Sequence, residues 1–502
     1  MNELASTPAL QPLIYDIGAP GRIGVNLPDC DVPEAELPTE LLRDDLPLPE
    51  VGELQVVRHF VKLSHLNYSI DKGFYPLGSC TMKYNPKVNE DAARLPGFAQ
   101  LHPLIEETGA QGAMYLMYEL QGWLGEISGF EAVSLTPAAG AQGEFAGILM
   151  IRNYHLDQGE AQRDIILVPN SAHGTNPATV TMAGMRVREL PSNDQGNVDL
   201  DSLRAACQGE MRDQIAGMMI TVPSTLGLFE STIHDVIDIV HDAGGLMYMD
   251  GANMNALMAV VKPGELDFDV MHYNLHKTFS TPHGGGGPGS GAVGVNEKLK
   301  DYLPGPIVDI IEEEDESGAP LYGYAMPAKS IGRIKAFQGN FGMHLRAYAY
   351  IRVYGDTGIR DVTRYAVLNA NYLRAKLMKT YKLPYPRYCG HEFVLEGHVD
   401  DVEEVHALDI SKRLMDYGFH PPTNYFPLIV PEALLIEPTE TEVKEDLDAF
   451  VEAMERIAEE ARTDPELLLN APHTAPVRRL DEVRAVKELI LCCVPALPAA
   501  GD

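Results

Sequence analysis

Along the chain, short continuous apolar runs alternate with longer stretches of helical spacing. DIILVP (164–169), MMITVPS (218–224) and GLMYMDG (245–251) are β-rich and apolar throughout, whereas ESTIHDVIDIVHDAGG (230–245) repeats its apolar positions every three to four residues. Strands separated by helices of this length predict βαβ units around a mostly parallel sheet, an α/β fold whose functional groups collect at the carboxyl ends of its strands. Residues 107–129 carry helical spacing, with Gly129 placed to end the helix. From 342 the pattern is helical to about 381. It then predicts strands in FVLEG (393–397) and LIVPEALLIEP (428–438) and an amphipathic helix over 445–462. The first fifty residues, rich in Pro and acids, predict an extended arm. The chain therefore divides into an N-terminal segment (1–104), a large domain (105–341), a small C-terminal α/β domain (342–490) and a tail (491–502). The acidic stretch IEEEDESG (311–318) reads as a solvated loop.

Composition narrows the function without naming it. Acidic residues outnumber basic ones 72 to 39, and the formal charge of -33 argues against nucleic acid and against an anionic membrane surface as partners. No apolar run is long enough to span a bilayer, and MNELASTPALQPLIYDIG lacks the basic start and apolar core of a signal peptide, so a cytoplasmic location is expected. Six scattered cysteines with no CxxC spacing indicate neither a disulfide framework nor a zinc-thiolate site. Cys492 and Cys493, adjacent to each other, read as two free thiols.

The chemistry concentrates in HYNLHKTFSTPHGGGGPGSG (272–291). His272 and His276 stand four apart, but no carboxylate is nearby and helix-breaking residues follow, so no metal site is expected. A phosphate loop of the GxxxxGK[ST] kind fails because Lys277 precedes the glycines. A lysine after a short apolar strand, followed by small residues, suits a Schiff base to an aldehyde cofactor, with the glycines leaving room beside it; this points to pyridoxal phosphate. Asp250 ends a strand 27 residues earlier and could keep a pyridine nitrogen protonated; capping the next helix is its alternative role. His173, in SAHGTNPAT after another strand, could stack on the cofactor ring. TPAAGAQGE (136–144) opens a helix whose free N–H groups could hold a phosphate.

These residues sit in longer matching stretches: PLGSCTMKYNP (76–86), PAAGAQGE (137–144), SAHGTNPA (171–178), ITVPST through DGANMNA (220–256), NLHKTFSTPHGGGGPGSG (274–291), GHEF (390–393), DYGFHPPT (416–423) and IEPTETE (436–442). On them the chain resembles the glycine cleavage system P-protein, glycine dehydrogenase (decarboxylating), in the subunit 2 form of its two-subunit version. The resemblance implies a fold type I pyridoxal-phosphate-dependent transferase that decarboxylates glycine, releases carbon dioxide and passes the aminomethyl group to the lipoyl arm of H-protein. It further implies that Lys277 is the covalent anchor, Asp250 the partner of the ring nitrogen and His173 the stacking group. Ala139, Gly140 and Ala141 would bind phosphate through backbone groups, with His276 and Thr278 nearby. Some relatives carry Ser where this chain has Ala139, so another donor, His276 among them, is expected to replace the hydroxyl. A separate subunit 1, in an α2β2 heterotetramer wrapped by the N-terminal arm, is also implied. The group that holds the glycine carboxylate is sought in HLNYS (65–69), PLGSCTMK (76–83) or GHEF; Cys80, inside the second, reads as a buried thiol. The alternatives are a fold type I decarboxylase of a larger amino acid, a scaffold subunit without chemistry, and a metal-dependent hydrolase built on the histidines.

Overall fold

The protein, seen here in a computed structural model, is described over residues 10–33, 35–43, 46, 48–282, 289–313, 318–400 and 402–489. His283 and the glycine run after it, residues 314–317, Cys492, Cys493 and the 491–502 tail lie outside the described residues.

The apolar runs become strands, and they are buried on both faces, which is why they read as continuous rather than alternating. Among the described residues, seven strands form the main sheet: β1 (Ala132–Ser134), β2 (Ile165–Pro169), β3 (Arg186–Leu190), β4 (Ile215–Thr221), β5 (Leu246–Gly251), β6 (Val270–Asn274) and β7 (Gly291–Val295). Their order is β1-β7-β6-β5-β4-β2-β3. The strands from β3 to β6 run parallel, and β7 is antiparallel to both β6 and β1. Successive side chains point to opposite faces, so Ile165 and Leu167 join one apolar layer while Ile166 and Val168 join the other. The first layer receives the helix Gln111–Ser128, which Gly129 caps in a left-handed conformation, and the helix Ile233–Asp242.

The second layer receives the helix Gly140–Asp157. A Cβ on Gly143 would meet the carbonyl oxygen of Gly291 at 2.4 Å, so the missing side chain lets this helix lie directly on β7. That contact fixes the helix's N-terminus beside the carboxyl end of β6.

The large unit also carries the hairpin of β8 (Ile307–Glu312) and β9 (Leu321–Ala325), so the start of the predicted acidic loop is strand instead. The small unit is an antiparallel sheet of β10 (Phe393–Glu396), β11 (Thr423–Asn424) and β12 (Ala433–Ile436), backed by helices Ala407–Asp416 and Lys444–Thr463. Helix Phe341–Leu377 joins the units and bends at Gly355. Its Leu345, Tyr350 and Val362 pack in the large core, and Ala370, Leu373 and Leu377 in the small one. Among the described residues before 50, only two short 3-10 turns form, Ile14–Asp16 and Thr39–Leu41.

Residues 76–78 are not part of a free arm. Leu77 bridges Ile436, and Gly78 donates its N–H to Leu435, so this segment lies along β12 while Phe74 enters the small core.

Candidate active site

The carboxyl ends of β4, β5 and β6 open on a cavity of about 250 Å³, closed from the other side by Ser79, His391 and Glu392. Thr221, Asp250 and Asn274, the last residues or nearly the last of their strands, all line it. Gly140, Ala141, His173, His276 and Lys277 line it as well, so five of the sequence-predicted positions meet Asp250 there. Ala139 stands just behind, as the N-cap of the helix that Gly140 begins. Thr278 does not line the cavity: its buried hydroxyl accepts the N–H of Met254 at 2.9 Å, tying two turns together.

Lys277 follows β6 by three residues and donates its Nζ to the Ser79 carbonyl at 2.6 Å. Asp250 is buried at the end of β5, where its carboxylate accepts from Asn176 Nδ2 and from the Ala252 N–H, each at 3.0 Å. Burial alone would raise its titration, but His272 at 3.4 Å, these two donors and Lys277 together hold the carboxyl below the usual aspartate range. His272 comes from β6, directly opposite Asp250, and its Nδ1 engages Tyr248 at 2.8 Å. Because His272 is on a strand and His276 in the turn after it, the two share no helical face.

His173 is exposed at the cavity mouth, its Nδ1 2.8 Å from the Thr175 hydroxyl and its ring edge-on to Phe426 at 5.3 Å between centroids. Behind it, buried Glu144 accepts from Thr175 (2.9 Å), Asn176 (3.2 Å) and Thr179 (3.3 Å). Asn176 thus bridges Glu144 and Asp250. The helix N-terminus at Gly140 has no side-chain cap, and first-turn N–H groups have no intrahelical acceptor.

The far wall was only partly foreseen. Of the three segments expected to hold a substrate carboxylate, PLGSCTMK contributes Ser79 and GHEF contributes His391 and Glu392, whereas HLNYS does not line the cavity; there, Tyr68 donates to the Phe74 carbonyl. Cys80 is half-buried and does not line the cavity; burial pushes its thiol up, with Lys277 opposing. Glu437, which no local pattern singled out, backs Glu392. Glu144, Asp250 and His272 bring ligand atoms within 4.8 Å of one another, as do His391, Glu392 and Glu437. Burial pushes His391 down to about 3, so its ring is neutral, and both of its nitrogens lack a hydrogen-bond partner among the described residues. Among the described residues no arginine lines the cavity.

The donor set fits pyridoxal phosphate. Lys277 offers an amine, Asp250 a carboxylate held ionised, and the uncapped helix end a cradle for an anion. The buried Thr221 Oγ1 and Asn274 Oδ1 on the cavity wall have no partner among the described residues.

The family model "Glycine dehydrogenase, C-terminal domain" matches residues 362–473. A relative from Alkaliphilus oremlandii, called probable glycine dehydrogenase (decarboxylating) subunit 2, is 54% identical over 95% of this chain and 97% of its own. One of the same description from Pyrococcus abyssi is 53% identical over 96% of this chain and 95% of its own. Among solved structures, an inhibitor-bound glycine decarboxylase (P-protein) of the glycine cleavage system superposes with a TM-score of 0.70 at 22% identity, covering 84% of this chain and 93% of that one. A Lactobacillus brevis glutamate decarboxylase gives 0.62 at 13% identity, covering 86% and 96%. Both share the fold type I architecture described above.

Proposed function

Since the chain belongs to the glycine dehydrogenase (decarboxylating) subunit 2 family, we propose that this cavity decarboxylates glycine with pyridoxal phosphate and passes the aminomethyl group to the lipoyl disulfide of H-protein. The observation that carries the reading is the convergence of Lys277, Asp250, His173 and the uncapped helix end on one cavity. Pyridoxal phosphate, when bound, supplies an electron-accepting ring. Lys277 provides the amine that anchors it, Asp250 holds a proton at the ring nitrogen, and His173 stacks against the ring. The N–H groups of Gly140 and Ala141 take the phosphate, with His276 beside them and Ala139 shaping the turn. Thr278 serves by fixing the turn after Lys277 to Met254.

The walls also favour loss of carbon dioxide. Among the described residues, a carboxylate entering the cavity meets no arginine; the far wall presents Ser79 and the neutral His391 ring, beside two buried carboxyl groups. A carboxylate so poorly compensated is less stabilised than in water, and breaking its bond to the α-carbon relieves this. His391 orients the group without neutralising it.

The family's designation as subunit 2 implies a partner subunit. Helix Glu53–Leu66 supports the N-terminal segment as its contact: it buries only His59 while Leu54, Val57, Phe60 and Val61 are exposed. Exposed Leu27, Leu37, Leu41 and Leu48 continue that surface along the arm. We assign the partner as subunit 1 in an α2β2 assembly. Among the described residues no helix is long and apolar enough to cross a membrane, and a cytoplasmic setting suits the reaction.

Visible spectroscopy of the assembled enzyme before and after borohydride reduction, with peptide mapping, tests the reading. The label is expected on Lys277, and glycine-dependent release of carbon dioxide is expected from the unreduced enzyme. A label elsewhere refutes the assignment.

A further inference from the structure

Glu392 and Glu437 are both buried, and the ligand atoms of the pair and of His391 lie within 4.8 Å of one another. Their hydrogen bonding is unequal. Glu437 accepts from the Thr81 N–H (3.1 Å), the Thr81 hydroxyl (3.2 Å), Asn253 Nδ2 (2.9 and 3.0 Å) and Asn255 Nδ2 (3.4 Å), all neutral donors that suit an anion. Glu392 accepts from Ser79 at 2.7 Å, and its Oε1 stands 3.7 Å from His391 Nε2. Two carboxylates this close and this dry do not both ionise, and the donors select Glu437 as the charged member. The remaining proton belongs to Glu392, which lines the cavity with Lys277 and Ser79. Burial and the neighbouring charge push Glu392 well above the ordinary carboxyl range, while burial raises Glu437 to about 7 against its donors. The other titratable groups facing Glu392 are Lys277, His391, Cys80 and Cys389. Behind Glu437, Glu440 is engaged by Lys83. The buried ring of His391, without a hydrogen-bond partner among the described residues, marks this wall as a place where a ligand is met.

Resting on the function proposed above, we infer that Glu392 is the catalytic acid of aminomethyl transfer, giving its proton to the sulfur that departs when the lipoyl disulfide opens. The electron pair left at the glycine α-carbon by departing carbon dioxide forms the new carbon–sulfur bond. The sulfur–sulfur bond breaks, the disulfide is reduced by two electrons, and the second sulfur leaves as a thiolate that Glu392 protonates. Converting zwitterionic glycine and a disulfide into an ammonium product, a thiol and carbon dioxide consumes one proton, which Glu392 recovers from solvent. Glu437 is a positioning residue, its charge keeping the proton on Glu392.

The test uses the enzyme assembled with its partner subunit, glycine, and lipoamide as the acceptor probe, across pH. Glu392→Gln keeps shape and a hydrogen-bond donor but cannot release a proton. Transfer is expected to fall on the order of 100-fold and to lose the wild type's alkaline limb, with the glycine-induced change in cofactor absorbance retained. Glu437→Gln removes the neighbouring anion, so Glu392 loses its proton more readily and the alkaline limb moves to lower pH. An unchanged rate and pH profile in Glu392→Gln, with the glycine response intact, overturns the acid and leaves the functional reading standing. No glycine response in the wild type overturns both. Should Glu392→Gln not fold, an unmoved limb in Glu437→Gln overturns the inference by itself.

Discussion

Replacing Lys83 by Met isolates a buried charge that joins three parts of the chain. Lys83 Nζ lies 2.8 Å from Glu440 Oε1 and 3.1 Å from the Tyr350 hydroxyl, and the side chains of Lys83 and Glu440 are 1% and 6% exposed. The N-terminal segment, the long helix and the loop after β12 thus meet at one ammonium. In Lys83→Met, Glu440 keeps, among the described residues, only weak neutral donors, Tyr350 at 3.3 Å and Asn255 at 3.4 Å. Breaking a buried pair in this way costs about 3–5 kcal/mol when the orphaned carboxylate stays ionised. Glu440 can instead take up a proton. A glutamate in the unfolded chain titrates near ~4.3, so holding it neutral in the fold costs about 1.4 kcal/mol per pH unit above that value. The folded variant then binds the extra proton, so its stability falls as pH rises. The expected loss relative to wild type is about 1.6 kcal/mol at pH 5.5 and about 4 kcal/mol at pH 7.5. At roughly 1 °C per kcal/mol for a chain of this length, the melting temperature drops by about 1.5 °C and about 4 °C respectively. Differential scanning calorimetry of both proteins at the two pH values measures this. Equal losses at both would show that uncompensated charge is not the cause, and a double variant Lys83→Met/Glu440→Gln that recovers nothing would show the same.

Further outcomes follow from the same geometry. Lys277→Ala should leave no borohydride-stable label and reduce glycine-dependent carbon dioxide release to background, read by mass spectrometry and by trapped radiolabelled carbon dioxide; release near the wild-type rate would make the lysine incidental. Asp250→Asn should keep the cofactor but slow decarboxylation on the order of 100-fold, the scale of losing one preorganised electrostatic contact, and single-turnover spectroscopy would reveal it. In Gly227→Ala, whose φ is +75° and whose Cβ would lie 1.9 Å from the Glu392 carbonyl oxygen, we expect a loss of about 2–4 kcal/mol by calorimetry, since both strain and overpacking act. A neutral result there would mean that the backbone at 392 yields easily.

The parallel core was legible because its strands are apolar throughout. DIILVP, MMITVPS and GLMYMDG contain β2, most of β4 and β5, and the helix over 445–462 lies inside Lys444–Thr463. LIVPEALLIEP shrinks to β12 at Ala433–Ile436, because Pro431 precedes a positive φ at Glu432 and Leu428 points outward. Asp250 and Lys277 were legible from their places after strands. GHEF placed Glu392 among the candidate wall residues, but its burial against Glu437 was not legible, since whether an acid is buried depends on which distant segment covers it, and no local periodicity encodes that. Glu144 sat in plain view within PAAGAQGE; its role emerges only when Thr175, Asn176 and Thr179 arrive from another helix. Helix Glu53–Leu66 escaped notice because its apolar residues face outward, leaving a weak pattern against a core that it hardly joins.

The strap formed by residues 76–83 has a bearing on biosynthesis. Ser79 reaches Glu392 across 313 positions and Thr81 reaches Glu437 across 356, so one wall of the cavity joins residues translated early to residues translated much later. A ribosome must add the residues through Glu437 before the wall that holds Ser79, the carbonyl partner of Lys277, is complete. The nascent chain therefore carries the Lys277 amine before the wall that faces it exists, and a product truncated between Lys277 and Glu392 lacks that wall.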